Sequence, residues 1–111
     1  MGLSKTEKFS THQNELAIMS KALGHPARIA ILEYLLKANN CICGDIVGEL
    51  GLAQATVSQH LKELKNLGII KGSIEGTSTC YCIDTEKWEA ISTAFSQFFA
   101  QRVICEADGC C

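Results

Sequence analysis

A chain of 111 residues is long enough for one packed domain and too short for two cores. Apolar residues make up 47 % of it and there is a single proline, which excludes extended disorder, while no apolar stretch approaches the length of a membrane span. The formal net charge of −2 excludes a globally basic nucleic-acid binder, so DNA contact would need a local basic face, doubled in a dimer.

The opening MGLSKTEKFSTHQNE is polar and charged and carries no secretory pattern. A cytoplasmic chain is expected, in a compartment that keeps thiols reduced. Seven cysteines therefore stand out. They are spaced C-x-C at Cys41/Cys43 and Cys80/Cys82, and C-x4-C-C at Cys105, Cys110 and Cys111. None forms the C-x-x-C of dithiol redox sites. Clustered thiols in a reducing compartment point to soft-metal ligation or redox sensing rather than to structural disulfides.

Residues 1–10 read as an arm. A helix is expected from Thr11, with Leu16, Ile18, Met19, Ala22 and Leu23 apolar and Gly24 ending it. Pro26 suits the first turn of a second helix, where its missing N–H costs nothing. Ile29, Ile31, Leu32, Leu35 and Leu36 give that helix a broad inward face, and Asn39 and Asn40 stop it. Cys41-Ile42-Cys43 reads as a brief strand, with Ile42 inward and both cysteines facing the other way. Asp45 to Leu50 forms a short helix, and the Gly51-Leu52 turn leads into a long one.

In that long helix Ala53, Val57, Leu61, Leu64 and Leu67 make one stripe. The opposite face carries Gln54, Thr56, Ser58, Gln59, His60, Lys62 and Lys65, and its first acid is Glu63. Such a face can meet base edges and phosphates without repulsion. Two helices joined by a tight glycine turn form a helix-turn-helix, whose second helix enters the major groove. After Gly68 the period falls to two. A strand over Ile69–Ile74, a turn at Glu75-Gly76-Thr77 and a strand over Ser78–Ile83 predict a hairpin. Tyr81 and Ile83 should face inward, Cys80 and Cys82 outward. Asp84 caps a last helix running to Val103. Its Trp88, Ile91, Phe95, Phe98, Phe99 and Val103 exceed what one small domain covers, which predicts a homodimer through the first and last helices. The domain is thus expected over 11–103, with a cysteine-bearing tail over 104–111.

This is the layout of a winged helix, mainly α with a small β-hairpin wing. LGHPARIAILEYL, CICGDIVGELGLAQATVSQHLKELKNLGII and EGTSTCYCI resemble the arsenical-repressor (ArsR) family of bacterial metal-sensing repressors. The resemblance implies a homodimer on double-stranded operator DNA, blocking transcription until a metal or metalloid loosens it. Carried over by position, it implies that Gln54, Thr56, Ser58, Gln59 and His60 face the groove. Lys62, Lys65 and Lys71 would lie by phosphates. Two departures weaken the pattern. The wing tip Glu75-Gly76-Thr77-Ser78 lacks the arginine common in the family, and Ala53 stands where a capping serine is common.

The same resemblance directs attention to the thiols. Cys41-Ile42-Cys43-Gly44-Asp45 looks like the family's C-V-C-D motif with one inserted glycine and no third cysteine. The last helix has no histidine, so the family's zinc or nickel site between the last helices is not expected. A third sulfur would come from Cys105, Cys110 and Cys111 or, as the lesser choice, from Cys80 and Cys82 across the strands. Soft thiolates select soft ions. Arsenite or antimonite is the expected inducer, with cadmium, lead or zinc as further possibilities and no obligatory cofactor or membrane partner. A redox or sulfur-species sensor on the same fold is the nearest rival. A thiol enzyme would need C-x-x-C or a cysteine in an anion-cradling loop, and neither occurs.

Overall fold

The structure, a computed structural model, describes residues 8–38, 41–43, 46–75 and 78–101, with backbone alone at 43, 73–75, 78 and 79. Three of the helices begin where a side chain supplies an acceptor for a first free N–H group. Helix α1 (Thr11–Leu23) is capped by Ser10, whose hydroxyl accepts from Gln13 N–H at 3.0 Å. The Gln13 side chain accepts from Ser10 N–H at 2.9 Å in return. This reciprocal capping box explains a helix start that apolar spacing alone had indicated. Helix α2 (Pro26–Ala38) begins on His25, whose Nδ1 accepts from Ala27 N–H at 3.0 Å. Strand β1 (Ile42–Cys43) and helix α3 (Ile46–Leu50) follow. The turn beyond α3 needs Gly51, which sits at φ +66°, where a side chain would be strained.

Helix α4 (Gln54–Asn66), strands β2 (Ile70–Glu75) and β3 (Ser78–Ile83), and helix α5 (Thr85–Phe99) complete the order. Asp84 caps α5 by accepting from Lys87 N–H at 3.1 Å. The strands form one antiparallel sheet in the order β1-β3-β2. Gly72 in β2 lies opposite Tyr81, and a Cβ there would strike the Cys80 carbonyl and the Tyr81 ring. The wing is therefore closed by a missing side chain.

Ile31, Leu32 and Leu35 of α2 are fully buried and meet Ile46, Val57, Leu61, Leu64, Ile69, Ile70 and Ile91. Helix α2 is thus the central element, and Tyr81 and Ile83 pack inward against the same core as expected. Three expectations are corrected. Ile29 and Leu36 are each 39 % exposed, because a face that broad exceeds the arc one core can cover. Ala53 is exposed, because it is the extended N-cap of α4 and not its first inward residue. Helix α5 ends at Phe99. Val103, the expected boundary and tail over 104–111, most of the arm, Asp45 and the wing-tip residues Gly76 and Thr77 lie outside the described residues. Among those described, no helix is long and apolar enough to cross a membrane.

Candidate nucleic-acid interface and thiol pair

Val57, Leu61 and Leu64 hold α4 on the core, so its remaining faces point outward. Gln54, Thr56, Ser58, Gln59, Lys62 and Lys65 are exposed, as is Lys71 at the start of the wing. His60 departs from the expected groove face. It is only 8 % exposed, its Nδ1 accepts from Arg28 Nε at 3.0 Å, and its ring lies 4.4 Å from that of His25. The reason is helical spacing: three residues beyond Val57 and four before Leu64, position 60 falls on the inward stripe. Burial lowers its pKa from the ordinary 6.5, and the neighbouring His25 and Arg28 lower it further. His60 is a neutral acceptor inside the domain.

Arg28 is the hub that sequence reading missed, although it lies within the stretch LGHPARIAILEYL that carries the family resemblance. From α2 it donates to His60, forms an ion pair with Glu63 and donates to the Ala22 carbonyl at 3.4 Å. It thereby ties α4 to α2 and the end of α1. Gln59 Nε2 also donates to Glu63, at 3.0 Å. Glu63, the one acid of α4, is thus charge-paired with Arg28 and hydrogen-bonded by Gln59. At the other end of α4, Ala53 provides no side-chain cap. Val57 N–H reaches the Ala53 carbonyl at 3.1 Å. The N-cap side chain therefore satisfies none of the earlier N–H groups of α4.

The cysteines are organised by the register of β1 on β3. Ile42 pairs with Tyr81 and Cys43 with Cys80, which sets Cys41 beside Cys82 with a Cα–Cα distance of 4.2 Å. The sulfurs of Cys41 and Cys82 are bonded, and Cys80 is likewise disulfide-bonded. Reduced thiols were expected; direct cross-strand opposition brings these sulfurs within bonding reach. Cys82, the lesser choice from spacing, is thus the partner of Cys41. Cys105, Cys110 and Cys111 lie outside the described residues. Among the described residues no three His, Cys, Asp or Glu side chains converge as a metal site.

Two surfaces flank these features. A cavity of about 370 Å3 lies between α2, the sheet and α5, and Cys41 and Cys82 are on its wall with Leu35, Leu36, Ile83 and Trp88. Trp88 is half-buried here, although it had been grouped with the dimer aromatics. Its aspect was not legible without knowing where α5 crosses the sheet. Between α1 and α5 a second groove is lined by Leu16, Ala17, Phe95, Phe98 and Phe99. Phe98 is 49 % and Phe99 73 % exposed, and their rings meet edge to face at 5.4 Å.

Residues 25–71 match the model of the family described as bacterial regulatory protein, arsR family. A helix-turn-helix transcriptional regulator of Methanocaldococcus jannaschii is 40 % identical over 72 residues, which cover 64 % of this chain and 80 % of that one. A cadmium resistance transcriptional regulatory protein (CadC homolog) of Staphylococcus aureus is 36 % identical over 87 residues, 76 % of this chain and 71 % of that one. The chain belongs to the ArsR family. Its α4 is accordingly the second helix of the helix-turn-helix in an ArsR-family regulator, and its named relatives are regulators and repressors rather than enzymes. The fold is shared with HlyU from Vibrio cholerae, at a TM-score of 0.64 and 23 % identity over 84 % of this chain and 100 % of that one.

Proposed function

We propose that this ArsR-family chain is a cytoplasmic repressor that binds operator DNA as a homodimer and lets go when its cysteine thiolates take up a soft metal or metalloid. Trivalent arsenic is the first choice of inducer and antimony, cadmium, lead and zinc are further ones. The observation that carries the reading is the pairing of Cys41 with Cys82. It joins the strand leading into α3 and α4 to the wing strand β3. Both elements that would hold DNA are therefore connected at the sulfurs. Cadmium resistance in the name of the Staphylococcus relative fits an ion of this softness.

Gln54, Thr56, Ser58 and Gln59 would read base edges, and Lys62, Lys65 and Lys71 would neutralise phosphates. The two copies would meet through α1 and α5, where Phe98 and Phe99 are uncovered. An ion that binds the DNA-free dimer more tightly than the DNA-bound one weakens DNA binding by the same factor. The tail trio Cys105, Cys110 and Cys111 and, once reduced, Cys43 and Cys80 would supply the further sulfurs of a site. Operator binding by the reduced protein, at fixed salt, with and without arsenite and cadmium, tests this. Release by either ion is expected at concentrations matching the protein, and Cys41→Ser should lose it. Operator binding that ignores both ions would overturn the metal reading.

The sulfur–sulfur bond itself favours a second reading, in which oxidation of Cys41 and Cys82 is the signal. Peroxide treatment that releases DNA from a protein indifferent to both ions would select it.

A further inference from the structure

We infer that, on the reading of this chain as an operator-binding regulator, the Arg28–Glu63 pair fixes the polarity of one base-reading amide, so that Gln59 offers DNA an acceptor and selects adenine or cytosine at the base it meets. Gln59 is exposed on α4, one helical turn before Glu63. A glutamine amide has a donor end and an acceptor end, and on an unrestrained side chain either can turn to a base. Here the protein settles the choice. Gln59 Nε2 donates to Glu63 Oε1 at 3.0 Å. An ionised carboxylate only accepts, so the nitrogen must be the end that faces it. The carbonyl oxygen is thereby turned away from Glu63, towards the N-terminal half of α4. That half of such a helix is the part that meets base edges.

Glu63 is itself held. Its Oε2 is ion-paired with Arg28, whose side chain is only 14 % exposed. Arg28 is fixed in turn by His60 Nδ1 at 3.0 Å and by the Ala22 carbonyl at 3.4 Å. A contact between residues four apart on a helix surface is weak when both side chains are mobile. Here the carboxylate is already immobilised by Arg28, so Gln59 alone has to be ordered. Glu63 is therefore a positioning residue and Gln59 the reader. In the major groove adenine offers its N6 amino group and cytosine its N4 amino group as donors. Guanine offers two acceptors there, and thymine an acceptor and a methyl group. An outward carbonyl oxygen pairs with the first two bases and leaves the others unmatched.

The test selects the preferred site of the reduced full-length protein from random double-stranded DNA, then places all four base pairs at each position of that site. The position at which Gln59→Ala flattens the preference is the one Gln59 reads. There the wild-type chain should bind two of the four base pairs about tenfold tighter than the others, and those two should carry adenine and cytosine on the same strand. Glu63→Asp keeps a charge opposite Arg28 and draws the carboxylate back from Gln59. Glu63→Gln lets the two amides pair either way round. Both should reduce the ratio to about twofold or less at that position alone, with the salt slope unchanged. A merely structural role for Glu63 would alter every position together. In a Gln59→Ala background, Glu63→Asp should change nothing further. A ranking by purine against pyrimidine overturns the inference, as does a preference that both Glu63 variants keep. A preference that survives Gln59→Ala and is lost in Glu63→Gln also overturns it, since the carboxylate is then the reader. These outcomes leave operator binding standing, whereas selection that returns no preferred site overturns operator binding and this inference with it.

Discussion

His60 and Ala53 show how much one position of α4 settles. His60 accepts a hydrogen bond from Arg28 as a neutral imidazole, and burial holds its pKa below 6.5. Above about pH 6.5 the folded and unfolded chains are both neutral at this residue, and its contribution to stability is complete. As the pH falls below that value, the unfolded chain takes up a proton that the folded one resists. Stability declines until the lower folded-state pKa is passed. Denaturant midpoints between pH 7.5 and 5.5 should therefore fall in wild type and fall less in His60→Gln, whose amide oxygen still accepts from Arg28. Ala53 leaves the start of α4 uncapped in an extended conformation that suits a hydroxyl. Ala53→Ser should stabilise the domain by about 1 kcal/mol, read as a raised thermal or denaturant midpoint.

Helix α4 combines an inward stripe with an outward face on which lysines and short polar side chains are separable in role. Replacing Lys62 or Lys65 by Gln should weaken binding to all DNA sequences alike. Each should reduce the slope of log affinity against log salt by about 2, about 1 for each copy in the dimer. Gln54→Ala and Ser58→Ala should leave that slope unchanged and relax the preference for operator over random DNA. The orientation of the face rests on Arg28, which links α2 to His60 and Glu63. Helix starts at Thr11 and Pro26, the hairpin and the strand alternation of Tyr81 and Ile83 were legible in the sequence, because each follows from nearest-neighbour chemistry. The role of Arg28 was not legible, since its partners are 32 and 35 residues away and nothing in local spacing reports them.

For the whole molecule, exposed aromatic surface is the main unbalanced quantity. Phe98 and Phe99 stand open at the end of α5 beside the groove on α1. Joint Phe98→Glu and Phe99→Glu substitution should shift a dimer to monomer in sedimentation and lower operator affinity at least tenfold, with the melting temperature of the monomer little changed.

Period and punctuation along the chain determined the element order, the helix-turn-helix, the wing and the polar face of α4, because 3.6- and 2-residue repeats are set by the backbone itself. Strand alternation already set Cys41 and Cys43 across the ladder from Cys80 and Cys82, and the register of the tertiary structure decided which of them face each other. C-x-C spacing places Cys41 near Cys43 in sequence, yet strand geometry holds those two apart and sets Cys41 against Cys82. It also decided that His60 turns inward and that Trp88 walls a cavity, since both depend on how separate elements cross. Contacts between distant elements are fixed by packing and register, and neither is written in the spacing of one segment.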